Sequence, residues 1–440
     1  MELKDLFVTP LVILVVLAMA YWIRPLVTNP GTRKYYFPAL ILKMVGAISL
    51  GAIYEFYYGG GDTLNYYYHG TQHIWEAFLD SPAKAFQLIF ANGVHHAETF
   101  EYSTKIWSFS DPPSYFVVRV GGLFGLITFN TYSAIGVFFA TFSFSGGWAM
   151  YLAILKFYPT LKRLLAYAIF FIPSVVFWGS GMMKDTLTLG ALGWLVWAVV
   201  GFFYKKNRLL LHGVTLLFMG VIIYSIKIYI ILCLIPALIL WLGFDRFSSI
   251  KRLEWKVVLL PFILVIVVGS SLLAIREVGE SSSRYSLENL GAAAEITARW
   301  INYVSEVEGG AGYTLGDFDY SPQGIGRKFL PAIFVTLFQP FLWQSSSPIV
   351  LLSAIESLVL LLLTLLVLRR AGLGLLSILL RQNALFLFAF VFSMSFAAAV
   401  GFSTYNFGAL VRYKIPLLPF YGVVLALLNH YAKVSHRPIS

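Results

Sequence analysis

The residue of this chain whose type and position most suggest chemistry is Asp62, in the run GGGDTLNYYYH over residues 59–69. This run directly follows a hydrophobic segment long enough to cross a bilayer. A carboxylate at such a boundary can accept a proton from a hydroxyl group or ligate a divalent cation. Capping of the following helix is the simpler alternative. We expect a catalytic role for Asp62, and tyrosine suits the membrane–water boundary, so we include Tyr66 among the predicted substrate-binding residues.

A second ionisable group lies in the run PSVVFWGSGMMKDT over residues 173–186. Lys184 and Asp185 stand between two apolar segments with almost no loop, and charges near the hydrocarbon edge are costly and often functional. The lysine could hold a phosphate group, while the aspartate sets its position or caps the next helix. The alternative is an ordinary helix start with a lysine that reaches to the interface. We predict that both residues bind substrate.

Arg412 and Lys414 precede the last apolar segment, in the run VRYKIP over residues 411–416. On our topology this short junction lies outside the cell, where basic residues are not expected. An anionic ligand such as a lipid-linked diphosphate would explain them, because arginine offers two donors to phosphate oxygens. Contact with anionic lipid headgroups is the alternative. We predict substrate binding for both residues.

His69 and His73 are four residues apart and could share one face of a helix as metal ligands. With Asp62 they are the candidates for a metal site, and Mg²⁺ or Mn²⁺ is the divalent cation that the chemistry would use. Surface histidines in an aromatic loop are the more common case, so the metal and the cofactor stay open. Lys43 and Glu356 fall within predicted spans, and Lys227 falls between two of them. We expect these three residues to face the protein interior in pairs, or to mark spans whose edges are misplaced.

The composition places these residues on a polytopic, all-helical membrane protein. The 440 residues are 59% hydrophobic and 12% charged, whereas soluble proteins carry roughly 25% charged residues. A helix needs about 20 apolar residues to span a bilayer. On that basis we predict eleven spans, near 8–28, 36–56, 132–155, 164–180, 186–204, 208–225, 228–244, 257–275, 348–368, 383–402 and 415–430. Two shorter apolar segments, 114–128 and 329–343, are predicted to be re-entrant or interfacial.

Basic residues cluster after every second predicted span, which predicts cytoplasmic junctions there, an external N-terminus and a cytoplasmic C-terminus. The net charge of +11 is explained in this way, so we expect no nucleic-acid partner. The chain then forms one transmembrane domain over residues 1–440, with two long external loops at 57–131 and 276–347. We expect helices along the membrane surface in the first loop. The single cysteine, Cys233, excludes a disulfide framework.

Taken together, the carboxylate on the first outer loop, the PSVVFW…KD turn and the RYKIP entry to the last span resemble the GT-C superfamily of polytopic glycosyltransferases. The resemblance covers most of the chain as architecture and only these short segments as motif. It implies a GT-C-like fold, a polyprenyl-(di)phosphate sugar donor and a catalytic base at Asp62. It also implies that Lys184, Arg412 and Lys414 hold the donor phosphates. The first outer loop has no Asp-x-Asp pair, which leaves metal dependence open.

The resulting hypothesis is transfer of a sugar or glycan from a lipid carrier to a glycan, lipid or protein acceptor. The predicted location is the outer face of a bacterial inner membrane. A transporter or flippase for lipid-linked glycans is the alternative, and it predicts two related halves with charges along a central path. A non-catalytic membrane scaffold is a third possibility. It predicts that the outer charges tolerate substitution.

Overall fold

The computed structural model describes residues 2–249, 312–316 and 322–435. Within these residues the chain is 83% helical and forms no strand. The helices, numbered in chain order, are α1 (Asp5–Val27), α2 (Arg33–Ile53), α3 (Asp62–Tyr66), α4 (Gln72–Asp80), α5 (Pro82–Phe90), α6 (Phe100–Ser103), α7 (Pro112–Ile127), α8 (Tyr132–Leu155), α9 (Lys162–Phe170), α10 (Pro173–Trp178), α11 (Lys184–Val199), α12 (Leu209–Ser249), α13 (Pro322–Phe338), α14 (Pro348–Gln382), α15 (Ala384–Ser403), α16 (Phe407–Tyr413) and α17 (Leu418–Ser435).

Seven of the described helices are long and apolar enough to cross a membrane, or eight if the bent pair α16–α17 forms one span. The chain is therefore a multi-pass membrane protein. The predicted spans 8–28, 36–56, 132–155, 186–204 and 383–402 correspond to α1, α2, α8, α11 and α15. The short segment 114–128 corresponds to α7, which has 16 residues. The short segment 329–343 overlaps only the second part of α13, which has 17 residues and ends at Phe338.

The count of eleven spans is not confirmed among the described residues. The predicted span 164–180 is divided between the short helices α9 and α10. Ile172, between them, has an extended backbone, because the ring of a following proline disfavours the helical conformation. The predicted spans 208–225 and 228–244 both lie on α12, whose backbone breaks at Lys227. Residues 257–275 lie outside the described part of the chain.

Two other predicted spans differ in their bounds from the observed helices. Span 348–368 is the first part of α14, which continues to Gln382 and breaks at Gly372. Span 415–430 corresponds to α17, which is preceded by α16 at an angle of 66°. Glycine at position 372 has a φ of 70°, a value that side chains with a Cβ rarely adopt. The predicted end of the span at residue 368, before Arg369 and Arg370, lies four residues before this break.

The described residues divide into two compact units. The first comprises Met1–Lys162 and Phe170–Lys227. In its centre α8 packs against α2 and α11, and small residues allow two backbones to approach closely. A Cβ atom on Gly146 of α8 would overlap the carbonyl group of Gly190 on α11. The second unit comprises Arg163–Ile169 and Ile228–Ser440.

In the second unit α13 packs against α15, and α14 packs against α17. The Thr336 hydroxyl donates to the Ala397 carbonyl oxygen at 2.8 Å, which joins α13 to α15. A Cβ atom on Gly401 would meet the backbone of Ala332, so this contact also depends on a small residue. Close helix packing of this kind is typical of membrane proteins.

Candidate functional site

The segment that leads to Asp62 is a glycine turn between α2 and α3. Gly59 and Gly61 have φ values of 67° and 121°, which favour glycine. A Cβ atom on Gly61 would also lie 2.5 Å from the ring of Tyr54. The turn ends α2, which is extended by one π-helical turn at Tyr54–Tyr58, and α3 begins at Asp62. Asp62 is exposed at this position.

Buried hydrogen bonds fix α3 and the turn that follows it. The Thr63 and Tyr132 hydroxyl groups lie 2.8 Å apart and are buried, which joins α3 to the start of α8. The Tyr67 hydroxyl donates to the Asn130 carbonyl oxygen at 2.8 Å. Tyr66 is also buried, so its predicted contact with substrate stays a prediction. One side of α3 is therefore anchored in the protein while Asp62 remains accessible.

Lys184, the first residue of α11, forms an ion pair with Asp111, which precedes α7. The Lys184 ammonium group lies 3.8 Å from a carboxylate oxygen of Asp111, and its side chain is 25% exposed. Asp62 also interacts electrostatically with Lys184. The structure thus brings together Asp62 and Lys184, which the sequence singled out separately. It adds Asp111, which sequence reasoning missed, although an aspartate directly before two prolines and a helix is a recognisable helix start.

Asp185, the neighbour of Lys184, has a buried partner on another helix. One of its carboxylate oxygens lies 2.5 Å from the ammonium group of Lys227, and the two side chains are 1% and 7% exposed. This confirms that Lys227 faces the interior in a pair. Asp185 was predicted to bind substrate, a role that stays a prediction. The backbone of α12 leaves the helical conformation at Lys227, with φ −148° and ψ 79°.

The turn that precedes Lys184 is held by Lys43 of α2. The ammonium group of this buried lysine donates to the carbonyl oxygens of Val175 and Gly179 at 2.8 and 2.7 Å. It also donates to the Ser143 hydroxyl at 3.1 Å. These carbonyl groups lie in and just after α10, where a helix end leaves backbone acceptors without partners. Lys43 therefore joins α2, α8 and the turn that places Lys184.

The two histidines of the first loop have different partners. The ring of His69 stacks on Trp107, with centroids 3.5 Å apart and planes 7° from parallel. His73 Nδ1 lies 2.8 Å from a carboxylate oxygen of Glu76. Burial, with a smaller effect from His73, lowers the pKa of His69. In the parts of the chain that the structure describes, no three His, Cys, Asp or Glu side chains lie close enough together to hold a metal ion.

Arg412 and Lys414 belong to the second unit, whereas Asp62 and Lys184 belong to the first. Lys414 is 1% exposed. Its ammonium group donates to the Ser357 hydroxyl at 2.9 Å and to the Gln339 carbonyl oxygen at 3.2 Å, and it interacts electrostatically with Glu356. Arg412 lies half-buried in the last turn of α16. Phosphate binding by these two residues stays a prediction.

The cluster of Asp62, Asp111 and Lys184 combines an accessible carboxylate with a partly exposed cation. The carboxylate can accept a proton from a bound hydroxyl group. The ammonium group can hold an oxyanion or stabilise negative charge that develops during a reaction. Such a pair can therefore activate a nucleophile and stabilise the leaving group that the nucleophile displaces.

Comparisons of the chain with protein-family profiles, with curated proteins and with solved structures gave no match.

Proposed function

We propose that this chain is a GT-C-like membrane glycosyltransferase. It moves a sugar or glycan from a polyprenyl-(di)phosphate carrier to an acceptor at the outer face of a bacterial inner membrane. The observation that carries the proposal is the electrostatic interaction between Asp62 and Lys184 in a chain whose helices are able to span a membrane. Both residues were selected from the sequence on separate grounds, so their convergence supports a shared task.

In the proposed reaction Asp62 acts as the general base. Its carboxylate takes the proton of the acceptor hydroxyl while the acceptor oxygen forms a bond to the anomeric carbon of the donor. The bond between that carbon and the carrier phosphate breaks, and its electron pair leaves with the phosphate oxygen. Lys184 stabilises the growing negative charge on that oxygen. Before the donor binds, Asp111 holds the lysine in place through their ion pair.

The test is transfer in liposomes that contain the purified full chain. The donors are polyprenyl-diphosphate-linked hexose and N-acetylhexosamine, each with a labelled sugar. We expect Asp62→Asn to lower the turnover number by about 100-fold or more, the scale of general-base catalysis. Glu98→Gln is the matched control, because Glu98 is an exposed carboxylate on the same loop. Equal turnover in wild type and Asp62→Asn, at matched folding, would refute Asp62 as the base.

The same liposomes distinguish the transporter alternative. Flipping of a fluorescent polyprenyl-diphosphate sugar is measured by chemical quenching of the label in the outer leaflet. If the chain is an enzyme, the wild type transfers the sugar to the acceptor and Asp62→Asn loses this activity. Flipping by wild type without transfer from either donor would instead assign the chain to transport of lipid-linked glycans.

A further inference from the structure

Trp107 is a largely exposed aromatic residue whose position is fixed by the first loop. Its indole ring stacks on His69 with centroids 3.5 Å apart, and its backbone N–H donates to the His69 carbonyl oxygen at 3.2 Å. The residue is nevertheless 68% exposed. The imidazole covers one face of the indole, so the opposite face is accessible and held in a defined orientation.

The chain also relates the position of the Trp107–His69 stack to that of Asp62. His69 follows Asp62 by seven residues along α3 and the π-helical turn Tyr67–Thr71. At about 1.5 Å per residue, the rise between the two positions is roughly 10 Å, and the backbone leaves the helical conformation at His69, with φ −104° and ψ 22°. Asn65, one turn after Asp62, is exposed. A carboxylate, an amide and the Trp107–His69 stack therefore follow one another along this segment.

The segment that carries Trp107 is tied to the candidate site at its other end as well. Asp111, four residues later, forms the ion pair with Lys184. Phe109, between them, is 3% exposed, and the Asp111 N–H donates to the Ser108 carbonyl oxygen at 2.9 Å. Trp107 is thus one end of a short, packed connection whose other end contacts the cation of the site.

This arrangement matches the chemistry of a saccharide. The C–H groups on one face of a pyranose ring pack against an aromatic ring, while its hydroxyl groups bond to amides and carboxylates. The rise of roughly 10 Å between Asp62 and His69 is about the length of two sugar residues. A sugar on Trp107 would place the next residue of its chain beside Asn65 and its terminal hydroxyl group near Asp62.

We propose that the accessible face of Trp107, together with Asn65, binds a saccharide chain and directs its end toward Asp62. The identification of this chain as the acceptor glycan rests on the proposed function, whereas saccharide binding does not. Insertion of Trp107 into the bilayer is disfavoured by its neighbours. Lys105, Ser110 and Asp111 are exposed, and hydrocarbon would remove their charged and polar groups from water.

Saccharide binding is tested on the detergent-purified full chain by saturation-transfer NMR titrations with cellotetraose, chitotetraose and mannotetraose. We expect Trp107→Ala to weaken binding of the bound saccharide by about tenfold, Trp107→Phe to weaken it less, and Asn65→Ala to weaken it several-fold. The matched control is Trp343→Ala, because Trp343 is 80% exposed and stacks on Phe341. We expect this variant to bind as wild type does.

The proposal is overturned if none of the three saccharides binds to wild type, or if Trp107→Ala binds them as Trp343→Ala does. A bilayer role for Trp107 would appear as equal saccharide binding together with reduced quenching by brominated lipid in Trp107→Phe.

The acceptor role is tested by transfer kinetics at saturating donor. We expect Trp107→Ala to raise the KM for acceptor about tenfold with little change in kcat, because the indole binds acceptor and does not touch the reacting atoms. Asp62→Asn should lower kcat instead. Saccharide binding that depends on Trp107 in a chain without transferase activity would support the subsite and refute the proposed function. If transfer depends on Asp62 but Trp107→Ala has the same KM for acceptor as Trp343→Ala, the proposed function is supported and the saccharide subsite is refuted.

Discussion

The ion pair between Asp185 and Lys227 gives the sharpest prediction about stability. Both side chains are almost fully buried, with exposed fractions of 1% and 7%. Removal of one partner from a buried pair leaves an uncompensated charge and typically costs about 3–5 kcal/mol. We therefore expect Lys227→Met and Asp185→Asn each to lower the free energy of unfolding by about 3–5 kcal/mol.

The double variant Asp185→Asn/Lys227→Met separates this reasoning from a simple loss of contacts. It removes both charges, so no buried charge is left unpaired, and buried pairs are often replaced by neutral side chains at little cost. We expect its free energy of unfolding to return to within about 1 kcal/mol of the wild-type value. The coupling energy between Asp185 and Lys227 is the change in the free energy of unfolding in the double variant minus the sum of the changes in the two single variants.

Unfolding is measured by SDS titration in mixed micelles, with a maleimide dye that reacts with Cys233. This is the single cysteine of the chain, it is 1% exposed, and it lies six residues after Lys227 on α12. Lys84→Met is the control, since Lys84 pairs with Asp80 on the surface, and we expect no measurable change. Additive losses in the double variant, or single variants that unfold as wild type does, would refute the argument.

Two further predictions concern the first loop. Gly61→Ala should lower both transfer activity and stability, because φ at this position is 121° and the new methyl group would meet the Tyr54 ring. At Gly60 a methyl group would enter open space, so Gly60→Ala should resemble wild type in both assays. Because burial lowers the pKa of His69 below its ordinary value of 6.5, the unfolded chain binds the proton first as pH falls. Its contribution to stability is therefore present above pH 6.5 and lost as pH falls through the folded-state pKa. SDS titrations between about pH 7 and 5 should show a smaller loss in the free energy of unfolding for His69→Phe than for wild type. An identical loss in the two proteins would contradict this prediction.

The helical, multi-pass class of the protein could be predicted from composition, because a bilayer requires long apolar segments whose backbone groups bond within one helix. Five predicted spans correspond closely to observed helices, among them 132–155 and α8 (Tyr132–Leu155). The predicted boundaries between spans 208–225 and 228–244, and after residue 368, also lie at or near two observed backbone breaks. At Lys227 and at Gly372 the backbone leaves the helical conformation, but the helix continues beyond each break, which hydropathy alone did not predict.

The candidate site shows the same division. Asp62 and Lys184 could be selected from the sequence because a charge beside an apolar span is costly and therefore informative. Which charges lie together is decided by packing between segments that are distant in the chain. Asp111 contacts Lys184 across 73 positions, and Asp185 contacts Lys227 across 42. Hydropathy and residue type describe each segment by itself, whereas these pairs depend on how α7, α11 and α12 are arranged in space.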